Sequence, residues 1–100
     1  MNIAIVHNLV RLQRYEISLH AQKERYEEDI SLEDIEQAIM SGEILERYPR
    51  DVRGASCLVL GYTGNRAIHI VCSILPDGWL RIITVYLPKM PKWKNPKQRS

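Results

Sequence analysis

The sequence predicts an α+β domain in which N-terminal helices pack on a four- to five-stranded antiparallel sheet. Three observations carry this expectation. Apolar residues recur at helical spacing as far as Met40. From Glu43 onward the chain changes to alternating, β-branched runs broken by turn residues. A chain of 100 residues has room for one core and not for two.

Asn2 suits the cap of a helix whose apolar side is Ile3, Val6, Leu9 and Val10. The alternation of Ile3 and Ile5 is also compatible with a strand. Tyr15 to His20 alternates and is rich in β-formers, so a short strand is expected there. Ala21 to Glu28 contains helix formers and no breaker. Ser31 starts a further helix, since its hydroxyl can accept from the Asp34 amide. Glu33, Asp34 and Glu36 then sit where the helix dipole favours anions. Leu32, Ile35 and Ile39 form the apolar stripe, and Gly42 ends the helix.

Four strands follow, over Ile44–Tyr48, Ser56–Tyr62, Ala67–Leu75 and Trp79–Leu87. Their separators are Pro49–Gly54, Thr63–Arg66 and Pro76–Gly78. Residues 1–88 form the expected domain. Residues 89–100 form a basic, proline- and lysine-rich tail, expected to be extended and mobile.

Turn chemistry sets the register. With Gly64-Asn65 as a two-residue turn, Tyr62 opposes Ala67, Leu60 opposes His69 and Cys57 opposes Cys72. With Asp77-Gly78 as a type I′ turn, His69 opposes Tyr86, Val71 opposes Thr84 and Ser73 opposes Ile82. One sheet face then reads Cys57, Val59, Ile68, Ile70, Cys72, Ile74, Ile83, Val85 and Leu87, and belongs under the helices. The other is mixed and carries His69, Ser73, Ile82, Thr84 and Tyr86. An odd-length loop would flip one strand.

Hydrophobic residues make up 45% and charged residues 26%, the mix of a folded domain rather than a disordered chain. The net charge of +2 hides a segregation. Residues 24–46 hold nine acids and one base, while residues 47–100 hold ten bases and two acids. Two opposite electrostatic surfaces would follow if these segments stay apart. No apolar run reaches the roughly 18 residues of a membrane span. Met1 to Leu12 lacks a basic n-region and an A-x-A cleavage pattern, so a cytoplasmic protein with no membrane partner is expected. Cys57 and Cys72 form no C-x-x-C, which argues against a disulfide scaffold or a zinc module and suits packed, reduced thiols. No metal-ligand spacing joins His7, His20 and His69, and no cofactor is expected.

Two groups of residues can do chemistry. On the mixed face His69 lies beside Thr84 and Tyr86 and can transfer protons near neutral pH. The same set also suits a half-exposed sheet, where Thr and Tyr are favoured. His20 lies four residues before Glu24, which can orient the imidazole, and five before Arg25, a fixed cation. A plain helix start with solvated charges is the structural alternative.

The ordered motifs His20-Ala21-x-x-Glu24-Arg25, Gly42-Glu43-Ile44-Leu45-Glu46, Ser56–Gly61, Ile68–Cys72, Pro76-Asp77-Gly78-Trp79, Ile83–Tyr86 with Pro88, and Pro91-Lys92-Trp93 resemble the domain of unknown function 4258 family. The order of helices and sheet is similar to RelE-like ribonuclease toxins and their barnase–EndoU–colicin relatives. The resemblance implies a toxin of a type II toxin–antitoxin pair. Its partner would be a small zinc-finger antitoxin with a helix-turn-helix portion, as in MqsR–MqsA-type systems. The implied activity is metal-independent endoribonuclease cleavage of RNA by 2′-hydroxyl attack. His20 and His69 would supply the acid and the base, Glu24 would orient His20, and Arg25 would clamp phosphate. Thr84 and Tyr86 would hydrogen-bond the substrate. Arg81, Lys89, Lys92 and Lys94 would hold the RNA backbone. Trp93 would stack on a base or dock the tail. The chain departs from RelE-type toxins in offering His and Tyr where those use Lys and Arg. The alternative is a non-enzymatic RNA- or protein-binding module with structural histidines. A small-molecule binder finds no support, since no Gly-rich phosphate loop is present.

Overall fold

A computed structural model describes residues 1–52 and 54–100. Arg53, within the Pro49–Gly54 separator, lies outside the described residues. Asn2 Oδ1 accepts from the Ile5 amide at 3.0 Å and starts α1 (Ile3–Arg11), which turns Val6 and Val10 inward. The expected strand over Tyr15–His20 is shorter, β1 (Tyr15–Ile17), because Ser18 acts as a helix cap. Its Oγ accepts from the Ala21 amide at 3.0 Å and opens α2 (Leu19–Glu27). His20 therefore stands on the first turn of a helix and not at a strand end. Ser31 and Asp34 exchange backbone–side-chain bonds of 3.0 and 2.9 Å, a capping box that starts α3 (Leu32–Met40).

The strands are β2 (Glu43–Tyr48), β3 (Ser56–Thr63), β4 (Arg66–Ile74) and β5 (Leu80–Tyr86). With β1 they form one sheet in the order β1-β5-β4-β3-β2. The sheet is mixed rather than antiparallel, because β1 runs parallel to β5. Between β1 and β5 the chain builds α2, α3 and three other strands, a connection long enough to bring two strands together in the same direction.

The first hairpin has the expected register, with Cys57 opposite Cys72 and Leu60 opposite His69. The second differs. Pro76, Asp77 and Gly78 form a three-residue loop, with Gly78 at φ 90° and its amide donating to the Leu75 carbonyl at 2.9 Å. The odd loop pairs Ser73 with Arg81 and Cys72 with Ile82. A bulge then leaves Ile83 without a partner and returns the strand to register, so Val71 opposes Thr84 and His69 opposes Tyr86. Ile82, expected on the mixed face, lies in the core under the helices, and Ile83 lies outside that core. Ile74 is exposed rather than covered.

The helices pack on the face carrying Cys57, Val59, Ile68, Ile70, Cys72, Leu80, Ile82 and Val85. Contact between α3 and β3 is closest at Gly61. A Cβ built there would lie 1.6 Å from the Ala38 carbonyl oxygen.

The tail is folded. β6 (Trp93–Asn95) and β7 (Gln98–Arg99) make a small hairpin. It lies against the sheet face opposite the helices, where Trp93 is 1% exposed. Arg99 donates to both Glu46 oxygens, at 2.9 and 2.7 Å, and its guanidinium lies 4.6 Å from the Trp93 ring centre. These contacts replace the extended, mobile segment expected from composition.

Candidate active site

The bulge and the short β1 together create the cleft. β1 ends at Ile17, so the edge of β5 beyond Ile82 has no strand beside it. Side chains of α2 satisfy that edge instead. Ser18 Oγ donates to the Ile83 carbonyl at 2.8 Å, and Glu24 Oε1 accepts from the Val85 amide at 3.1 Å. The start of α2 is thereby held at the unpaired edge of β5.

Next to it lies a cleft of about 440 Å³, lined by Ser18, His20, Ser73, Leu75, Arg81 and Ile83. His20 Nε2 is 3.3 Å from Glu24 Oε1, and the His20 side chain is 68% exposed. The imidazole is thus oriented by a carboxylate that is itself fixed by the backbone, and it stays open to solvent. Arg81 carries the positive charge of the cleft and pairs with Glu16 on the adjacent parallel strand. An oriented imidazole beside a guanidinium is a set able to move a proton and hold an anion.

His69 sits in a different setting. It is fully buried. Nε2 lies 2.7 Å from the Pro96 carbonyl, which can only accept, so that nitrogen carries the proton. Nδ1 then accepts from the Tyr86 hydroxyl at 3.1 Å, and the Tyr86 oxygen accepts from Trp93 Nε1 at 3.2 Å. Trp93 stands edge-on to the imidazole, with ring centres 4.4 Å apart. Both ring nitrogens are engaged, and burial pushes the His69 pKa below its ordinary value. This cluster docks the tail.

Arg25 and Glu24 diverge. Arg25 Nε donates to Gln22 at 2.6 Å, and the guanidinium reaches the Ile30 carbonyl at 3.4 Å. It braces the turn into α3. Thr84 is half-buried, opposite Val71. Of the residues expected to touch RNA, Lys89 pairs with Glu28 at 3.4 Å and Lys92 lies 5.6 Å from the Tyr86 ring centre. Trp93 is internal, and Lys94 is exposed.

The opposite charges of the two chain segments meet in space. Asp34, Glu28, Glu43 and Glu46 pair with Arg66, Lys89, Lys97 and Arg99. The Arg99–Glu46 pair has the most support. Hydrogen bonds from Arg99 and then from Tyr48 hold the Glu46 carboxyl down at about 2. Burial, and then the same carboxylate, push the Tyr48 hydroxyl up to about 12.

Both acid-sensitive groups secure the tail, and both lose their contribution in the same direction. Neutral His69 is favoured in the fold, so its stabilisation is complete above its ordinary 6.5 and fades as pH falls below that value. Ionised Glu46 is favoured in the fold, so its contribution is complete above 4.5 and is lost as pH falls towards about 2. Trp93 emission, read in a Trp79→Phe background, is expected to shift to the red in two stages on acidification. A flat profile down to pH 2 would contradict this.

Ser18, Ser73 and Glu16 were not among the expected site residues. Ser73 was on the mixed face, but its place beside Arg81 depends on the three-residue loop. Ser18 and Glu16 enter through the parallel pairing of β1 with β5.

Fold and cleft define a small α+β domain with an oriented, exposed histidine beside an arginine. A family model described as a domain of unknown function (DUF4258) matches residues 17–87, which hold α2 to β5 and the whole cleft. The chain belongs to that family. It has no significant match among curated proteins or solved structures. Among the described residues, no helix is long and apolar enough to cross a membrane.

Proposed function

We propose that the chain is a metal-independent endoribonuclease and the toxin of a type II toxin–antitoxin pair acting in the cytoplasm. The observation that carries the proposal is the cleft in which His20, oriented by Glu24, stands with Arg81. In this reading His20 takes the proton of a ribose 2′-hydroxyl. The 2′-oxygen attacks the adjacent phosphorus, the bond to the 5′-oxygen breaks, and that oxygen leaves with a proton from solvent. The products are a 2′,3′-cyclic phosphate and a free 5′-hydroxyl. Arg81 exchanges Glu16 for the phosphorane oxygens and stabilises the charge that develops there. In this reading Ser73, which lines the cleft, offers a hydroxyl for a substrate contact, and exposed Lys92 and Lys94 hold the RNA backbone as sequence-independent contacts.

The order of helices followed by a sheet supports a RelE- or barnase-like ancestry for the fold in this reading. The binding partner in this reading is a zinc-finger, helix-turn-helix antitoxin that covers the cleft. His69, Tyr86 and Trp93 are positioning residues that seal the sheet and tail. Arg25 is structural.

The test is purified protein incubated with RNA in EDTA. Cleavage leaving 2′,3′-cyclic phosphate ends is the expected result. One specific observation favours a second reading, a non-enzymatic RNA- or protein-binding module: His69 is fully buried with both ring nitrogens engaged, as a structural histidine would be. Retained RNA binding without cleavage would select that reading over the nuclease.

A further inference from the structure

Cys57 on β3 and Cys72 on β4 oppose one another across the first hairpin. Their sulfurs are 3.9 Å apart and unbonded. Opposed residues in antiparallel strands have Cα atoms about 4.5–5.5 Å apart. A disulfide spans Cα separations of about 4.4–6.8 Å, so rotation of two side chains closes this one without backbone travel. Both thiols are buried, Cys57 at 1% exposed and Cys72 at 0%. Cys57 lines a cleft of about 100 Å³ with Met1, Arg47, Pro49, Ala55 and Ser56, and its sulfur lies 3.3 Å from Met1 Sδ. Arg47 donates to the Met1 carbonyl and so keeps a cation at that cleft. The S–H of Cys72, and then Arg47, hold the Cys57 thiol below its ordinary pKa, while Cys72 is pushed up.

We propose that Cys57 and Cys72 form a peroxide-responsive dithiol, in which Cys57 is oxidised first and Cys72 resolves it. The cleft, the opposed register and the short sulfur separation carry the inference. Cys57 thiolate attacks one oxygen of a hydroperoxide, the O–O bond breaks, and Cys57 becomes a sulfenic acid as the peroxide is reduced. Cys72 sulfur then attacks Cys57 sulfur. An S–S bond forms, the S–O bond breaks and water leaves. Both thiols and one hydroperoxide give one disulfide, water and the reduced hydroxy compound (a second water for hydrogen peroxide). The bridge ties the hairpin that carries His69 and Ser73.

The test treats the full, native chain with hydrogen peroxide, removes the peroxide, unfolds the chain in urea with iodoacetamide to block remaining thiols, and maps the peptides by mass. The expected product is a monomer with a Cys57–Cys72 crosslink, reversed by dithiothreitol, with a higher melting temperature than the reduced form. Cys72→Ala should stop at a Cys57 sulfenic acid trapped by dimedone. Cys57→Ala should leave Cys72 unoxidised. Alkylation of both thiols in peroxide-treated wild type would overturn the proposal, as would intermolecular dimers as the only disulfide product. The wild-type measurement decides the matter even if a variant fails to fold.

Discussion

Gly61→Ala should destabilise the domain by about 3 kcal/mol or more, as measured by urea unfolding. The reason is steric. The new methyl would lie 1.6 Å from the Ala38 carbonyl oxygen and 2.8 Å from Ala38 Cα, all backbone of α3. No side chain can swing away to relieve that overlap, so helix and strand must part. The whole stability of a domain this size is about 5–15 kcal/mol. Gly64→Ala provides the control. Gly64 has φ +57° and no heavy atom within 4 Å of a built Cβ, so only backbone strain of about 1–2 kcal/mol is expected. Equal, small effects at both positions would mean that α3 does not rest on β3 at Gly61.

Trp93→Ala should cost about 3–5 kcal/mol, the usual range for emptying a large aromatic site. The indole fills the space between the tail and the sheet, and it is the most voluminous fully buried side chain among the described residues. Its loss also removes the donor to the Tyr86 hydroxyl, the edge contact with His69 and the surface beneath Arg99. His69 would then meet water, and its pKa, followed by NMR, should rise towards 6.5. A tail that were mobile would give a cost near zero and an unchanged His69 titration.

Local chemistry made much of the fold legible. Asn2, Ser31 and the Gly64-Asn65 turn each specify a structure within a few residues, and the register of the first hairpin follows from the turn. The second hairpin shows where such reasoning stops. Ile82 and Ile83 are both β-branched and apolar, so a one-residue slip leaves an isoleucine on each face and the hydrophobic pattern does not reveal it. The direction of β1 was also hidden, since three residues carry no mark of parallel or antiparallel pairing. The tail misled because its composition is that of a mobile segment. Its anchor, Arg99 on Glu46, joins residues 53 positions apart.

The site divides in the same way. His20 and Glu24 were legible because i,i+4 neighbours share a helix face. Arg25 is one residue further round the helix and points elsewhere. The pairing of His69 with Tyr86 followed from register, but its enclosure under Trp93 depends on the tail. Arg81 was recognisable as a base. Its place beside His20 comes from β1 lying against β5, which carries Glu16 to Arg81 and starts α2 at the cleft.

If His20, oriented by Glu24, does the chemistry in this cleft, removing its imidazole removes the cleavage. The most direct measurement is the RNA cleavage rate in EDTA for wild type and His20→Ala, with folding of both checked by circular dichroism. His20 is exposed, so the variant should fold normally. Its rate should fall by about 100-fold or more, the usual contribution of a positioned acid–base group. Cleavage by His20→Ala at the wild-type rate would mean that His20 takes no part in the reaction.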